Sequence, residues 1–238
     1  MKRMRVFAGP KGSGKTTLVN QFLKKKNKLI SPNRHINPDN LNLIEVLDFN
    51  HFGLKVDEND FRDFICKSSF YDMSGICVKD IKINDNLFKI PYRNSYMGAM
   101  LADYLRYCYI NSKETLFSYE TVLSHSSKVD FLKYAKNHGW QVYLYFVSTV
   151  DSYINCGRVK ERVLKGEHDV PFDKIQTRYI RSHENLFAAL QHCRRAYIFD
   201  NSRQMQLIAE KKPDNSLRLS NDGSVPLWFN ECVLSKIK

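Results

Sequence analysis

The sequence predicts an α/β protein: a mostly parallel sheet with helices on both faces, extended at the end of the chain by short antiparallel strands. Three observations predict it. Strand-like apolar runs alternate with stretches of helical periodicity. A glycine-rich loop joins the first strand to the first helix. The notable polar residues fall just after strands, where sheets of this class bind their ligands.

The elements follow in order. Met4-Arg5-Val6-Phe7-Ala8 reads as a short buried strand. Residues 9–14 form a loop with three glycines, and 16–26 have Leu18, Phe22 and Leu23 on one helical face. Lys24, Lys25, Lys26 and Lys28 close that helix, where cations suit the negative end of the helix dipole. Arg34-His35-Ile36 is a second strand, stopped by Pro38. Helices are expected over 41–51 and 57–67, then irregular or hairpin structure up to Tyr92. A helix is expected over 95–109 and a strand over 115–119, leading into Glu120. Residues 126–138 are helical and stop at Gly139, a suitable C-cap. The apolar, β-rich run 140–147 is the clearest strand. Helices over 151–164, with Thr149 or Asp151 as cap, and over 172–193 flank a loop. A strand over 196–199 ends at Asp200-Asn201-Ser202. The turn signals Pro213-Asp214-Asn215 and Asn221-Asp222-Gly223 give the tail a hairpin-like pattern. The expected organisation is therefore a main domain over 1–202 and a β-rich extension over 203–238. The domain carries an insertion at about 48–93 and a lid at about 151–181. Because the core sheet is expected to end at Phe199, the extension is expected to be dispensable for ligand binding.

Composition sets bounds on function. With 238 residues, 43% of them hydrophobic, the chain can fill one full core. No apolar run approaches the roughly 18 residues of a membrane helix, and no secretory signal stands at the start, so a cytoplasmic protein without a membrane partner is expected. The six cysteines form no C-x-x-C pair, which fits scattered reduced thiols and argues against a zinc site. Lys and Arg number 37 against 25 Asp and Glu, a net charge of +12. That balance suits nucleic acid, an acidic membrane surface or a polyanionic small substrate alike.

The chemistry is carried by Gly9-Pro10-Lys11-Gly12-Ser13-Gly14-Lys15-Thr16, which fits G-x-x-x-x-G-K-[ST] and is followed by Thr17. Glycines let the backbone turn its N–H groups inward, and the following helix adds its positive end. Lys15 would reach the β- and γ-phosphates of ATP, and the Thr16 hydroxyl would ligate Mg²⁺. This makes the expected architecture one of P-loop NTPase type. Asp39, after the second strand, suits a general base for a substrate hydroxyl attacking the γ-phosphate; an Asx turn or helix cap is its structural alternative. Glu120, at the end of its strand with Thr121 next, would hold substrate hydroxyls or organise Mg²⁺-bound water, or else serve as an acid at a helix start. Arg158 and Arg162 share a helix face, Lys165 follows, and Arg178 and Arg181 lie on the next helix. Such a lid would stabilise charge on a transferring phosphate, and a solvated basic face is the alternative.

Together these residues resemble the zeta-toxin-like P-loop kinases. The resemblance rests on Phe7-Ala8 leading into the loop through Thr17, on Ile36-Asn37-Pro38-Asp39, and on Phe117-Ser118-Tyr119-Glu120-Thr121-Val122-Leu123-Ser124. It continues through Arg158-Val159, Arg162-Val163, Gly166-Glu167-His168-Asp169-Val170-Pro171 and Arg178-Tyr179 to Asp200-Asn201-Ser202. It implies Asp39 as catalytic base and Lys15 and Thr16 as ligands of ATP and Mg²⁺. Glu120 and Thr121 would face the substrate, and Arg158, Arg162 and Arg178 would stabilise phosphate. The acceptor it implies is a hydroxyl of a small molecule, UDP-N-acetylglucosamine in the best-understood members, and the partner it implies is an antitoxin. Lys11 and Glu167 depart from the family pattern, as do the stretches 48–93 and 203–238. A polynucleotide 5′-kinase and a non-catalytic ATP-binding regulator are the alternatives. The first would need aromatic side chains interleaved with the basic lid, and the sequence places none beside Arg158, Arg162 and Lys165.

Overall fold

The computed structural model describes residues 1–24, 29–166, 170–220 and 225–237. Lys25, Lys26 and Lys28 of the basic run, Glu167, His168 and Asp169 of the lid motif, and the Asn221-Asp222-Gly223 turn lie outside the described residues. In chain order the elements are β1 (Lys2–Ala8), α1 (Lys15–Lys24), β2 (His35–Ile36), α2 (Pro38–Leu41), β3 (Val46–Asp48), α3 (Glu58–Cys66) and α4 (Tyr71–Ser74). Next come β4 (Ile83–Asn84), β5 (Leu87–Lys89), α5 (Ser95–Asn111), β6 (Leu116–Thr121), α6 (Ser126–Asn137), β7 (Trp140–Ser148) and α7 (Ser152–Val163). The chain closes with α8 (Phe172–Glu184), α9 (Leu186–Leu190), β8 (Arg195–Asp200), β9 (Gln206–Lys211), β10 (Leu217–Leu219) and α10 (Leu227–Cys232).

The chain divides into two compact units, 1–28 with 120–238 and 29–119. In the first, strands run in the order β10-β9-β8-β7-β1. β1, β7 and β8 are parallel, with Phe7 opposite Tyr145 and Tyr145 opposite Tyr197. β9 and β10 are antiparallel. Alternation along the strands separates two faces. On one, Phe22 of α1 packs edge-on against Phe7 and Tyr145. On the other, Phe146 meets His183 of α8 and Trp228 of α10. Helices therefore cover both faces of a mostly parallel sheet, as the alternating pattern predicts. His183 is buried there, with the Ser148 hydroxyl 2.7 Å from its Nε2, and burial pushes the imidazole down to about 4. It is neutral at physiological pH and behaves as a core residue.

The second unit is built around α5, whose Met97, Met100, Leu101, Leu105 and Tyr109 are buried. β2 pairs in parallel with the first part of β6. A separate three-stranded antiparallel sheet, β3-β5-β4, packs its Phe88 against Phe61, which also meets Phe49 and Tyr104. Asp85 and Asn86 make the tight turn between β4 and β5, both at positive φ, a conformation short polar side chains tolerate. The helix expected over 41–51 is replaced by α2, a turn and β3. β3 exists because Val46, Leu47 and Asp48 pair with Lys89, Phe88 and Leu87.

Two further expectations change. The long helix over 172–193 breaks at Asn185, whose side-chain amide donates to Leu123 O. The short antiparallel strands expected in the extension are present, but the core sheet does not end at Phe199: β9 continues it at β8, and α10 buries Trp228 and Phe229. Removing aromatic side chains from such positions costs about 3–5 kcal/mol each, against a folding margin of about 5–15 kcal/mol. A chain cut after Ser202 should thus lose its cooperative unfolding transition by circular dichroism. A truncated protein melting at the wild-type temperature would contradict this packing.

Candidate functional site

The phosphate loop is set by steric demands at three glycines, all in the first unit. Gly9, Gly12 and Gly14 have φ of +135°, +80° and +103°, a region that L side chains rarely adopt. A Cβ on Gly9 would lie 2.0 Å from Val147 O, one on Gly12 2.6 Å from Asn155 O, and one on Gly14 2.3 Å from Asn201 Nδ2. The motif itself requires glycine only at positions 9 and 14. Gly12 is explained by the backbone of α7, which lies directly against the loop.

The loop is tied at both ends. The Gly9 N–H donates to Thr121 O at the end of β6, and the Leu18 N–H donates to Gly14 O at the first turn of α1. Backbone that alternates between positive and negative φ forms a concave nest suited to anions, and here it opens onto a helix N-terminus. The Lys15 ammonium donates to Gly9 O and Pro10 O, both at 2.9 Å. It is thereby held over the loop it would neutralise. Ser13 is fully buried, and its Oγ has no hydrogen-bond partner among the described residues. A cradle with a cation and an unmatched buried hydroxyl fits a polyanionic phosphate chain.

Thr16 opens outward at the first turn of α1, and its hydroxyl donates to Glu120 Oε2 at 2.9 Å. Glu120 itself is buried at the end of β6. A hydroxyl and a carboxylate oxygen side by side are hard donors of the kind Mg²⁺ takes. Among the described residues no group of three or more His, Cys, Asp or Glu gathers as a metal cluster. Such an ion would therefore rest on these two oxygens together with phosphate. Thr121, next to Glu120, has its hydroxyl engaged locally: it accepts from the Leu123 N–H, where the chain turns at φ +60°.

The two arginine-bearing helices are rooted in the sheet. Asp151 caps α7 by accepting from the Tyr153 N–H. Tyr179 of α8 donates to Thr149 O, and Ser182 donates to Val122 O. Cys156, Val159, Val170 and Ile175 form a small core between the helices. Arg158 donates to Ser202 O at 3.4 Å and keeps a buried Nη1 without a partner among the described residues. Ser202 is fixed in turn by the Asp200 carboxylate, and its hydroxyl accepts from the Val150 N–H. Arg162 is half-buried and Arg178 exposed.

Asp39 lies in the second unit, exposed at the start of α2. The capping role falls to Asn37, whose Oδ1 accepts from the Asp39 N–H at 2.9 Å. Two further residues of the first unit bear on the loop: Asn155, which sequence reading did not single out, and Asn201, which it noted only within the Asp200-Asn201-Ser202 strand end. Asn155 donates to Lys11 O and Asn201 to Ser13 O, both at 2.7 Å.

No protein-family model matches the chain, and no curated protein matches it. Solved structures do resemble it. A chain from the crystal structure of AvrRxo1-ORF1:AvrRxo1-ORF2 with sulphate ions superposes with a TM-score of 0.59 at 12% identity, covering 93% of this chain. In the same pair with ATP the TM-score is 0.56 at 14% identity. A chain from the PezAT chromosomal toxin–antitoxin system of Streptococcus pneumoniae gives 0.51 at 15% identity, covering 100% of this chain and 80% of that one. The present chain spans 61% of the AvrRxo1 chains it matches. At these identities the likeness is one of fold, and it agrees with the mostly parallel α/β sheet described above.

The geometry of the loop yields a direct expectation. Lys15→Ala should weaken ATP binding about 100-fold, roughly the 2.7 kcal/mol of a charge-assisted phosphate contact. Titration calorimetry that found equal affinity in both proteins would contradict the assignment of 9–16 as the phosphate site.

Proposed function

We propose that this chain is an ATP-dependent kinase of zeta-toxin-like type, passing the γ-phosphate to a hydroxyl of a small molecule. The observation that carries the proposal is the Thr16 hydroxyl bonded to the Glu120 carboxylate at the mouth of the phosphate loop. A phosphate cradle alone binds; a cradle with a hydroxyl and carboxylate suited to Mg²⁺ is equipped for transfer. When bound, ATP supplies the phosphoryl group and Mg²⁺ offsets its charge. Gly9, Pro10, Lys11, Gly12, Ser13, Gly14, Lys15, Thr16 and Thr17 hold the triphosphate. Thr16 and Glu120 would hold the metal, and Glu120 and Thr121 would meet the acceptor. Arg158, Arg162 and Arg178 supply cationic charge.

Asp39 is the general base of this reading. Its motive is sequence position after β2, with the helix-capping role already filled by Asn37. The Asp39 carboxylate takes the proton of the acceptor hydroxyl as that oxygen attacks phosphorus, and the leaving oxygen of ADP departs in line. A nucleotide sugar such as UDP-N-acetylglucosamine is the leading acceptor. An antitoxin is the leading protein partner, a reading supported by the fold shared with a toxin–antitoxin system. A cytoplasmic site of action accords with the finding that no helix among the described residues is long and apolar enough to cross a membrane.

One observation favours a second acceptor class. Tyr153 and Phe172, 62% and 50% exposed, stand 5.6 Å apart at the starts of α7 and α8. Exposed rings beside arginine-bearing helices suit stacking with bases of a single strand, which would make a polynucleotide 5′-hydroxyl the acceptor.

Transfer of label from γ-labelled ATP to nucleotide sugars, nucleotides and 5′-hydroxyl oligonucleotides separates these classes. With the acceptor so found, Asp39→Asn should lower kcat by about 100-fold or more. KM values should stay within a few-fold. Full activity in that variant would remove Asp39 as the base. ATP binding without labelling of any acceptor would leave the non-catalytic regulator as the better reading.

A further inference from the structure

We infer that Asn155 and Asn201 are positioning residues for the nucleotide phosphates, acting through the backbone of the loop 9–16. The inference rests on the reading of that loop as the triphosphate site. Turning successive N–H groups toward a phosphate forces the intervening carbonyls to point away from it. Those carbonyls then need donors from behind, or they are left unsatisfied where the loop packs on the domain. Two carbonyls of the loop, Lys11 O and Ser13 O, each receive an asparagine amide at 2.7 Å.

The two amides come from different elements and are themselves fixed. Asn155 sits one turn into α7, is fully buried, and its Oδ1 accepts from the Thr149 hydroxyl. That contact orients the amide so that its nitrogen faces the loop. Asn201 follows β8, and its own N–H donates to Ser148 O of β7, so the sheet edge sets its height. The fit is tight enough that Gly12 and Gly14 have no room for a Cβ against Asn155 and Asn201 respectively. The sheet edge and α7 thus grip the loop from outside at alternate residues, Lys11 and Ser13. Asparagine is suited to this because it donates from a planar amide and adds no charge beside the phosphates. Arg158, one turn beyond Asn155 on α7, is carried on the same fixed segment.

The test uses inorganic tripolyphosphate, which addresses the phosphate loop without a base or sugar, alongside ATP. Asn201→Ala and Asn155→Ala should each weaken tripolyphosphate and ATP about tenfold by calorimetry, the scale of one organising hydrogen bond. The melting temperature without ligand should stay within a few degrees of wild type. If Asn155→Ala fails to fold, Asn201→Ala, at a half-exposed site, decides alone. Wild-type affinity in Asn201→Ala would overturn the inference while leaving the nucleotide reading intact. A fall in unliganded melting temperature with affinity unchanged would mark the asparagine as structural only and would equally overturn it. Wild-type protein that binds neither ligand would remove the nucleotide reading, and this inference with it.

Discussion

A loop that turns its N–H groups toward an anion must turn its carbonyls away, and much of the first unit answers that single demand. Gly9, Gly12 and Gly14 provide the dihedrals, and the carbonyls of Val147 and Asn155 with the Asn201 amide occupy the space a side chain would fill. The Gly9 N–H is fastened to β6 through Thr121 O, and Lys11 O and Ser13 O are fastened to Asn155 and Asn201. Strands β7 and β8 therefore matter to the site as supports. Their C-terminal ends deliver the groups that hold the loop open.

The same support extends outward. Asp200 holds Ser202, Ser202 accepts from the Val150 N–H, and Arg158 reaches Ser202 O. Thr149, between β7 and α7, receives Tyr179 at its carbonyl and gives its hydroxyl to Asn155. The bases of both arginine-bearing helices are thus rigidly joined to the phosphate loop.

How much was legible in the sequence follows from how local each determinant is. β1, its glycine loop and α1 are contiguous, and β7 is a single apolar run after a C-capping Gly139, so all were readable. β3 was not: its pairing with β5 spans some forty residues, and Leu41-Asn42-Leu43-Ile44 alone carries a helical pattern. The break at Asn185 depends on Leu123 O, 62 residues away, and helical periodicity cannot sense it. The motif exposed Lys15 and Thr16 because their spacing is fixed by the loop itself. Asn155 and Asn201 lie 144 and 188 residues from the carbonyls they hold; Asn155 has no motif signature, and the Asp200-Asn201-Ser202 signal marks a strand end without showing which carbonyl its amide meets. A further hint was Gly12, a glycine the motif does not require.

On the proposed function, Thr16 and Glu120 together with the loop make a site for a metal-bound triphosphate. The most direct measurement is calorimetric affinity for ATP with Mg²⁺ and with EDTA, in wild type and in Glu120→Gln. The Glu120→Gln change keeps the side-chain shape and removes the charge. Mg²⁺ should tighten ATP binding about tenfold or more in wild type and much less in Glu120→Gln, with metal-free affinity nearly equal in the two. An identical gain from Mg²⁺ in both proteins would contradict it.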